Sequence, residues 1–231
     1  MGEQITITAV IAIAFIHTIV GPDHYLPFIV MSKARSWSLV KTIWITFICG
    51  IGHILSTFAI GIIGVTSGFL MQKIEIFDGY RGSMAAWALM IFGLIYFAWG
   101  VYRVIKNKTH KHIHIHENGE EHVHEHKHSD GHSHVHNKKI TPWALFIIFV
   151  LGPCEAMVPI LAYPAIENDY GKIIFFSIVF AFITIATMIA VVVIAFYGIN
   201  LLPLGKFEKY THAIAGAIIF LSGFAIEVLG L

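Results

Sequence analysis

Charge is scarce in this chain. Asp, Glu, Lys and Arg make up 13% of its 231 residues, about half of the roughly 25% usual in soluble domains. That excludes an ordinary water-facing surface over most of the molecule. Cysteine is scarcer still. Cys49 and Cys154 are the only two, both inside apolar runs, which excludes a disulfide framework. No glycine-rich nucleotide-binding motif is present, so neither a nucleotide-driven pump nor an enzyme is expected, and no organic cofactor is implied. The formal net charge is +1, which gives no electrostatic reason to expect nucleic acid or an acidic partner. No basic region precedes the first apolar run. That run is therefore expected to be a span rather than a cleaved signal.

Apolar side chains fill the space left by charge, at 57% of residues and a mean hydropathy of +0.75. Six stretches reach the about 20 apolar residues that a bilayer crossing needs: 4–30, 41–70, 83–104, 142–163, 172–202 and 210–230. The expected fold is all-α, a polytopic membrane protein with six transmembrane helices. Gly21-Pro22 interrupts the first stretch and Gly152-Pro153 the fourth. A proline removes one helical hydrogen bond and clashes with the carbonyl four residues back, so helices 1 and 4 are expected to be broken. Pro27 follows Asp23 by four residues and Pro159 follows Glu155 by four. Each proline is expected to release the carbonyl of that acid from helical bonding.

The two breaks are 131 residues apart, and Gly93 and Gly100 recur as Gly223 and Gly230 at an offset of 130. Residues 1–104 and 141–231 thus read as two three-helix repeats, joined by a loop at 105–140. Three spans per repeat invert the second half, the plan of many secondary transporters. Loops after spans 1, 3 and 5 hold 12 of the 15 Lys and Arg residues; Lys73, Arg81 and Lys172 fall on the other side. The positive-inside tendency puts the richer side in the cytoplasm and both termini outside. A prokaryotic plasma membrane is the expected location.

An unpaired Asp at the centre of a span costs about 2.5–3.5 kcal/mol on insertion scales. Asp23, Glu155 and Glu227 read as the acids within the apolar stretches. Asp23 and Glu155 lie at the two breaks. His17 and His24 flank the first break, His53 lies in the second stretch, and Cys154 adjoins the second break. Imidazole, carboxylate and thiolate together suit first-row divalent metals better than calcium or magnesium. Asp23, His24 and His53 are the leading candidate ligands, then His17 and Glu155, then Cys154. Gly21, Pro22, Pro27, Gly152, Pro153 and Pro159 form the helix breaks. His212 reads as interfacial, and Thr184 and Thr187 as either path-lining or bonded back to their own helix.

Residues 105–140 are a different material. The loop carries His110, His112, His114, His116, His122, His124, His126, His128, His132, His134 and His136, mostly alternating with other residues. It has little apolar surface to bury, so it is expected to be disordered without a ligand and to bind metal collectively.

These features resemble the nickel/cobalt transporter family in its broad sense, NicO and UreH-like membrane proteins included. The resemblance rests on His17, Pro22-Asp23-His24, Ser36-Trp37, Gly50-Ile51-Gly52-His53 and the histidine-rich loop. In the uptake permeases four residues separate the first histidine from Asp-His; here five do. The resemblance implies nickel or cobalt as cargo, and efflux members carry a similar cytoplasmic loop. The expected function is transport of a divalent transition metal, with zinc and iron also compatible, outward rather than inward, and with protons as a candidate coupling ion. Two alternatives stand beside it. Gly152-Pro153-Cys154 is similar to the Pro-Cys break of membrane thiol-disulfide electron carriers of cytochrome c biogenesis, although Asp23 occupies the position that matches Cys154. The other is a membrane metal sensor or delivery protein without transport.

Overall fold

The computed structural model describes residues 6–66, 71–106, 111–115, 121–125, 140–152, 154, 156–167, 169–201 and 205–229. The first helix, α1 (Ile7–Val20), starts at Thr6, whose hydroxyl accepts from the Ala9 N–H at 3.3 Å. It stops at Gly21. A single 3-10 turn, Pro22–His24, leads into α2 (Leu26–Ala34), and the two halves are bent by 81°. Pro27 is the second residue of α2 rather than an interior residue. Its missing N–H therefore falls where a helix has no internal partner to offer. The break itself lies at Gly21–Tyr25, and Pro27, expected as one of the helix-break residues, comes just after it.

α2 ends in a tight reversal. The Trp37 N–H donates to Ser32 O at 2.8 Å and the Ser36 N–H to Lys33 O at 3.3 Å. This is the Schellman pattern, which places Ser36 in the left-handed region at φ 49° where glycine is usual. Ser38 then caps α3 (Leu39–Thr66), accepting from the Lys41 N–H at 3.3 Å. Next come α4 (Met71–Lys106), α5 (Ile140–Leu151), α6 (Met157–Ile166), α7 (Tyr170–Leu201), a 3-10 segment (Gly205–Tyr210) and α8 (Thr211–Leu229).

Four helices are long and apolar enough to cross a membrane, and the bent α1–α2 pair makes a fifth crossing if it counts as one span. The stretch 142–163 does not pass as a single span. It is two helices of 12 and 10 residues, α5 and α6, because the chain breaks between Leu151 and Met157. Pro159 lies in the first turn of α6, again a position that tolerates it. Pro153 and Glu155 lie outside the described residues. Large apolar side chains such as Phe182, Ile194, Trp44 and Ile178 are more than half exposed on the helices' outer faces. Surface of that kind suits an integral membrane protein.

Among the described residues the chain is helical apart from one hairpin in the histidine-rich loop. β1 (Lys111–Ile115) pairs antiparallel with β2 (Glu121–Glu125), with His112 opposite His124 and His114 opposite His122. The alternation of that stretch has a period of two, the period of a strand. The remaining loop histidines, His110, His116, His126, His128, His132, His134 and His136, lie outside the described residues.

α4 and α8 pack antiparallel at backbone contact. A Cβ at Gly93 would collide with the backbone of Phe220 and Gly216, one at Gly100 with Ala213, and one at Gly223 with Ala86. Small residues replace the hydrophobic drive that lipid removes, because they let dispersion and weak backbone contacts act at short range. α1 packs on α7, α5 on α3, and α2 on both α3 and α8. Two apolar clusters result. One holds Phe28, Met31, Leu89, Phe149 and Met188; the other holds Val10, Ile54, Cys154, Met157 and Phe180. Gly93→Leu is expected to destabilise the protein by about 3 kcal/mol, read as a lower melting temperature in detergent. Gly79→Ala, with nothing within 4 Å, is the comparison. Equal melting temperatures for the two variants would mean that α4 and α8 do not approach this closely.

Candidate metal centre

The site forms where the two apolar clusters meet. His17 lies in the last turn of α1 and His24 closes the 3-10 turn. His53 comes from the middle of α3. The His17 and His24 rings meet edge to face with centroids 4.8 Å apart, and His24 meets His53 in the same way at 5.3 Å. They border a cavity of about 270 Å³ together with Asp23, Leu89, Phe149 and Gly152. The residue added between His17 and Asp23 does not keep His17 from the others.

Hydrogen bonding decides which nitrogens are available. His24 Nδ1 lies 3.1 Å from Gly21 O and 3.1 Å from Asp23 Oδ1. Both are acceptors, so Nδ1 carries the proton. His53 Nδ1 lies 3.2 Å from Phe149 O and is protonated for the same reason. In a neutral imidazole the other nitrogen is then a lone pair. His24 Nε2 and His53 Nε2 are buried and have no hydrogen-bond partner. A ring held at Nδ1 by a carboxylate or carbonyl, with Nε2 left open, is the usual presentation of a metal-binding histidine. The two orphaned atoms are thus the structural sign that these residues suit a metal. Asp23 was expected as a leading ligand; in the structure it faces His24 Nδ1 and orients that ring while also bordering the cavity.

Cys154 joins the group from the second half of the chain. Its Sγ is 3.7 Å from His17 Nε2. One ligand atom each from His17, His53 and Cys154 lie within 4.8 Å of one another. With bonds of about 2.0–2.3 Å, ligand atoms in a tetrahedral shell are about 3.3–3.8 Å apart. The set is therefore a small side-chain adjustment from closing on an ion. Two imidazoles and a thiol, with a third imidazole alongside, form a borderline-soft donor set that favours nickel, cobalt or zinc over hard cations.

Comparison with protein-family models, with curated proteins and with solved structures gives no match. The site's supports come from residues the sequence did not single out. Thr57, one turn beyond His53, accepts the Cys154 N–H at 2.9 Å. Arg81 was expected in a connecting segment; it lies inside α4 with Asp78, the two buried at 8% and 2% exposure. They pair at 2.7 Å, and Arg81 Nη2 donates to Ser56 Oγ, Val150 O and Gly152 O. Arg81 thus satisfies carbonyls freed where α5 stops. An acid and an arginine three apart on one helix was the available signal, since such pairs face each other. Gly21 has a tight role of its own: a Cβ there would sit 2.5 Å from His24 Nδ1.

Other candidates lie elsewhere. Glu227 is exposed and accepts from Ser83 Oγ at 3.4 Å. Cys49 is buried in the other cluster. Thr184 is fully buried with its hydroxyl unpartnered. Cobalt titration of the purified protein is expected to give a sulfur-to-metal charge-transfer band that is lost in Cys154→Ser and kept in Cys49→Ser. His17→Ala and His53→Ala should each weaken binding about tenfold or more, and Asp23→Asn about 10–100-fold through the His24 ring. A band that survives Cys154→Ser would remove the thiol from the set.

Proposed function

We propose that this chain carries a divalent transition metal across a membrane, with nickel and cobalt the leading cargo and zinc and iron within reach of the same donors. The observation that carries this reading is the pair of orphaned Nε2 atoms of His24 and His53 at a cavity bordered by broken helices. Intramembrane polar groups are costly and mark ion pathways. The ion is substrate here, passed on rather than kept. The reading agrees with the resemblance to nickel/cobalt transporters.

The proposed architecture has six crossings in two inverted repeats, α5 and α6 together making the sixth. The packing supports it. Under the repeat α1 matches α5, α2 matches α6, α3 matches α7 and α4 matches α8. The contact of α1 with α7 then has its counterpart in α5 with α3, and α2 with α7 in α6 with α3. The antiparallel α4–α8 pair is what inversion requires, and Gly93 and Gly223 both lie in it. The loops rich in Lys and Arg face the cytoplasm, which puts the histidine-rich loop on the loading side and favours export. Cys49 and Cys154 belong to separate clusters, which gives a two-cysteine electron relay no support.

Vesicles containing the protein are expected to move nickel or cobalt. His53→Ala should lower the rate at least about tenfold and Asp23→Asn about 10–100-fold. Absence of flux for nickel, cobalt, zinc and iron alike would end the transport reading. Ligands bind metal in their unprotonated forms, so loading releases protons. With protons as the counter-ion, flux should rise steeply from about pH 5.5 to about pH 8. A flat profile would remove protons from the cycle.

A further inference from the structure

A second cavity, of about 420 Å³, lies away from the candidate metal centre, at the turn between α2 and α3 and the adjoining ends of α4 and α5. That falls within the ~300–1,000 Å³ of small-molecule sites. The turn between α2 and α3 supplies Arg35 and Lys41 to its lining, the end of α4 supplies Arg103, and the start of α5 supplies Thr141. Among the described residues no carboxylate lines it, and none pairs with these three cations. Glu208 borders a separate neighbouring cavity.

Three like charges around one space repel unless something negative sits among them. Here they are held in place. Arg35 lies over Tyr96 and Trp99, with its guanidinium 5.3 and 5.4 Å from the ring centroids, and donates through Nη2 to Thr141 Oγ1 at 3.0 Å. Its Nε is buried with no partner. Arg103 donates to His212 Nε2 at 2.6 Å, and His212 Nδ1 meets the Tyr96 hydroxyl at 2.8 Å. Lys41 packs over Trp37. The N-terminus of the 28-residue α3 adds its positive end. Trp143 and Tyr102, exposed at the neighbouring helix ends, mark the level of lipid headgroups.

We propose that this cavity binds a phosphate-bearing anion. Planar guanidinium groups match phosphate oxygens in pairs, while a lysine supplies a point charge. Basic pockets between membrane helices at headgroup level take acidic lipid headgroups, and free phosphate offers the same chemistry. The occupant joins the ends of α2, α3, α4 and α5, the helices that carry the two breaks and their neighbours. This site is independent of the metal reading, since the two share no residue.

The test uses the full chain in phosphatidylcholine nanodiscs, titrated calorimetrically with dioctanoyl phosphatidylglycerol and, separately, with inorganic phosphate. One-to-one saturation is expected with at least one probe, weakened about tenfold in Lys41→Gln and in Arg103→Gln and unchanged in Lys172→Gln, an exposed lysine outside the cavity. Saturation by the lipid, with phosphate failing to displace it, assigns the site to headgroups. Saturation by phosphate alone assigns it to the soluble ion. Lys41 is exposed and its ammonium rests over the Trp37 ring, so that variant decides the matter if Arg103→Gln fails to fold. No saturable binding of either probe, or equal binding by wild type and Lys41→Gln, overturns the proposal.

Discussion

A backbone break inside an apolar layer must be satisfied by the protein itself, because lipid offers no hydrogen bonds. This chain breaks twice. At the first break His24 Nδ1 reaches Gly21 O, and at the second His53 Nδ1 takes Phe149 O while Arg81 takes Val150 O and Gly152 O. The groups that repair the breaks are thus in part the groups that form the site. Spending Nδ1 on a carbonyl leaves Nε2 with nothing to bond. Structural need and ligand presentation come from the same two rings.

The rest of the fold fixes where those rings lie. α3 presents His53 and, one turn on, Thr57. The first holds the end of α5 and the second holds Cys154 beyond the break. A single helix face therefore clamps both sides of the second interruption. The glycines between α4 and α8 bring those helices to backbone contact, and α4 carries Arg81 to the same place. Asp78 keeps that arginine from being an uncompensated buried charge. The cost of a buried ion pair is accepted where the carbonyls of a broken helix need a donor.

The two cavities differ in kind. The candidate metal centre is lined by imidazoles, one carboxylate and a thiol among apolar walls. The cavity at the helix ends is lined by cations resting on aromatic rings. Arg35 closes α2, the half-helix that begins just after His24 and Tyr25, and Thr141 opens α5, the helix that carries Phe149. Both sites therefore grip the same broken elements from opposite ends.

Local chemistry was legible from the residues. Apolar runs located the long helices, Gly21-Pro22 and Gly152-Pro153 located the breaks, and imidazoles in apolar surroundings located His17, His24 and His53. Those features depend on neighbours within a turn or two, so a linear reading captures them. Alternation in the histidine-rich loop, with the period of a strand, was visible too. Packing between distant segments decided the remainder. It set which nitrogen of each ring is left open, and that Asp23 orients His24. It brought Cys154 to His17 from 137 positions away. It buried Asp78 and Arg81, and it split 142–163 into two short helices. Such outcomes depend on which acceptor a folded neighbour happens to offer, and no local pattern of residues encodes that.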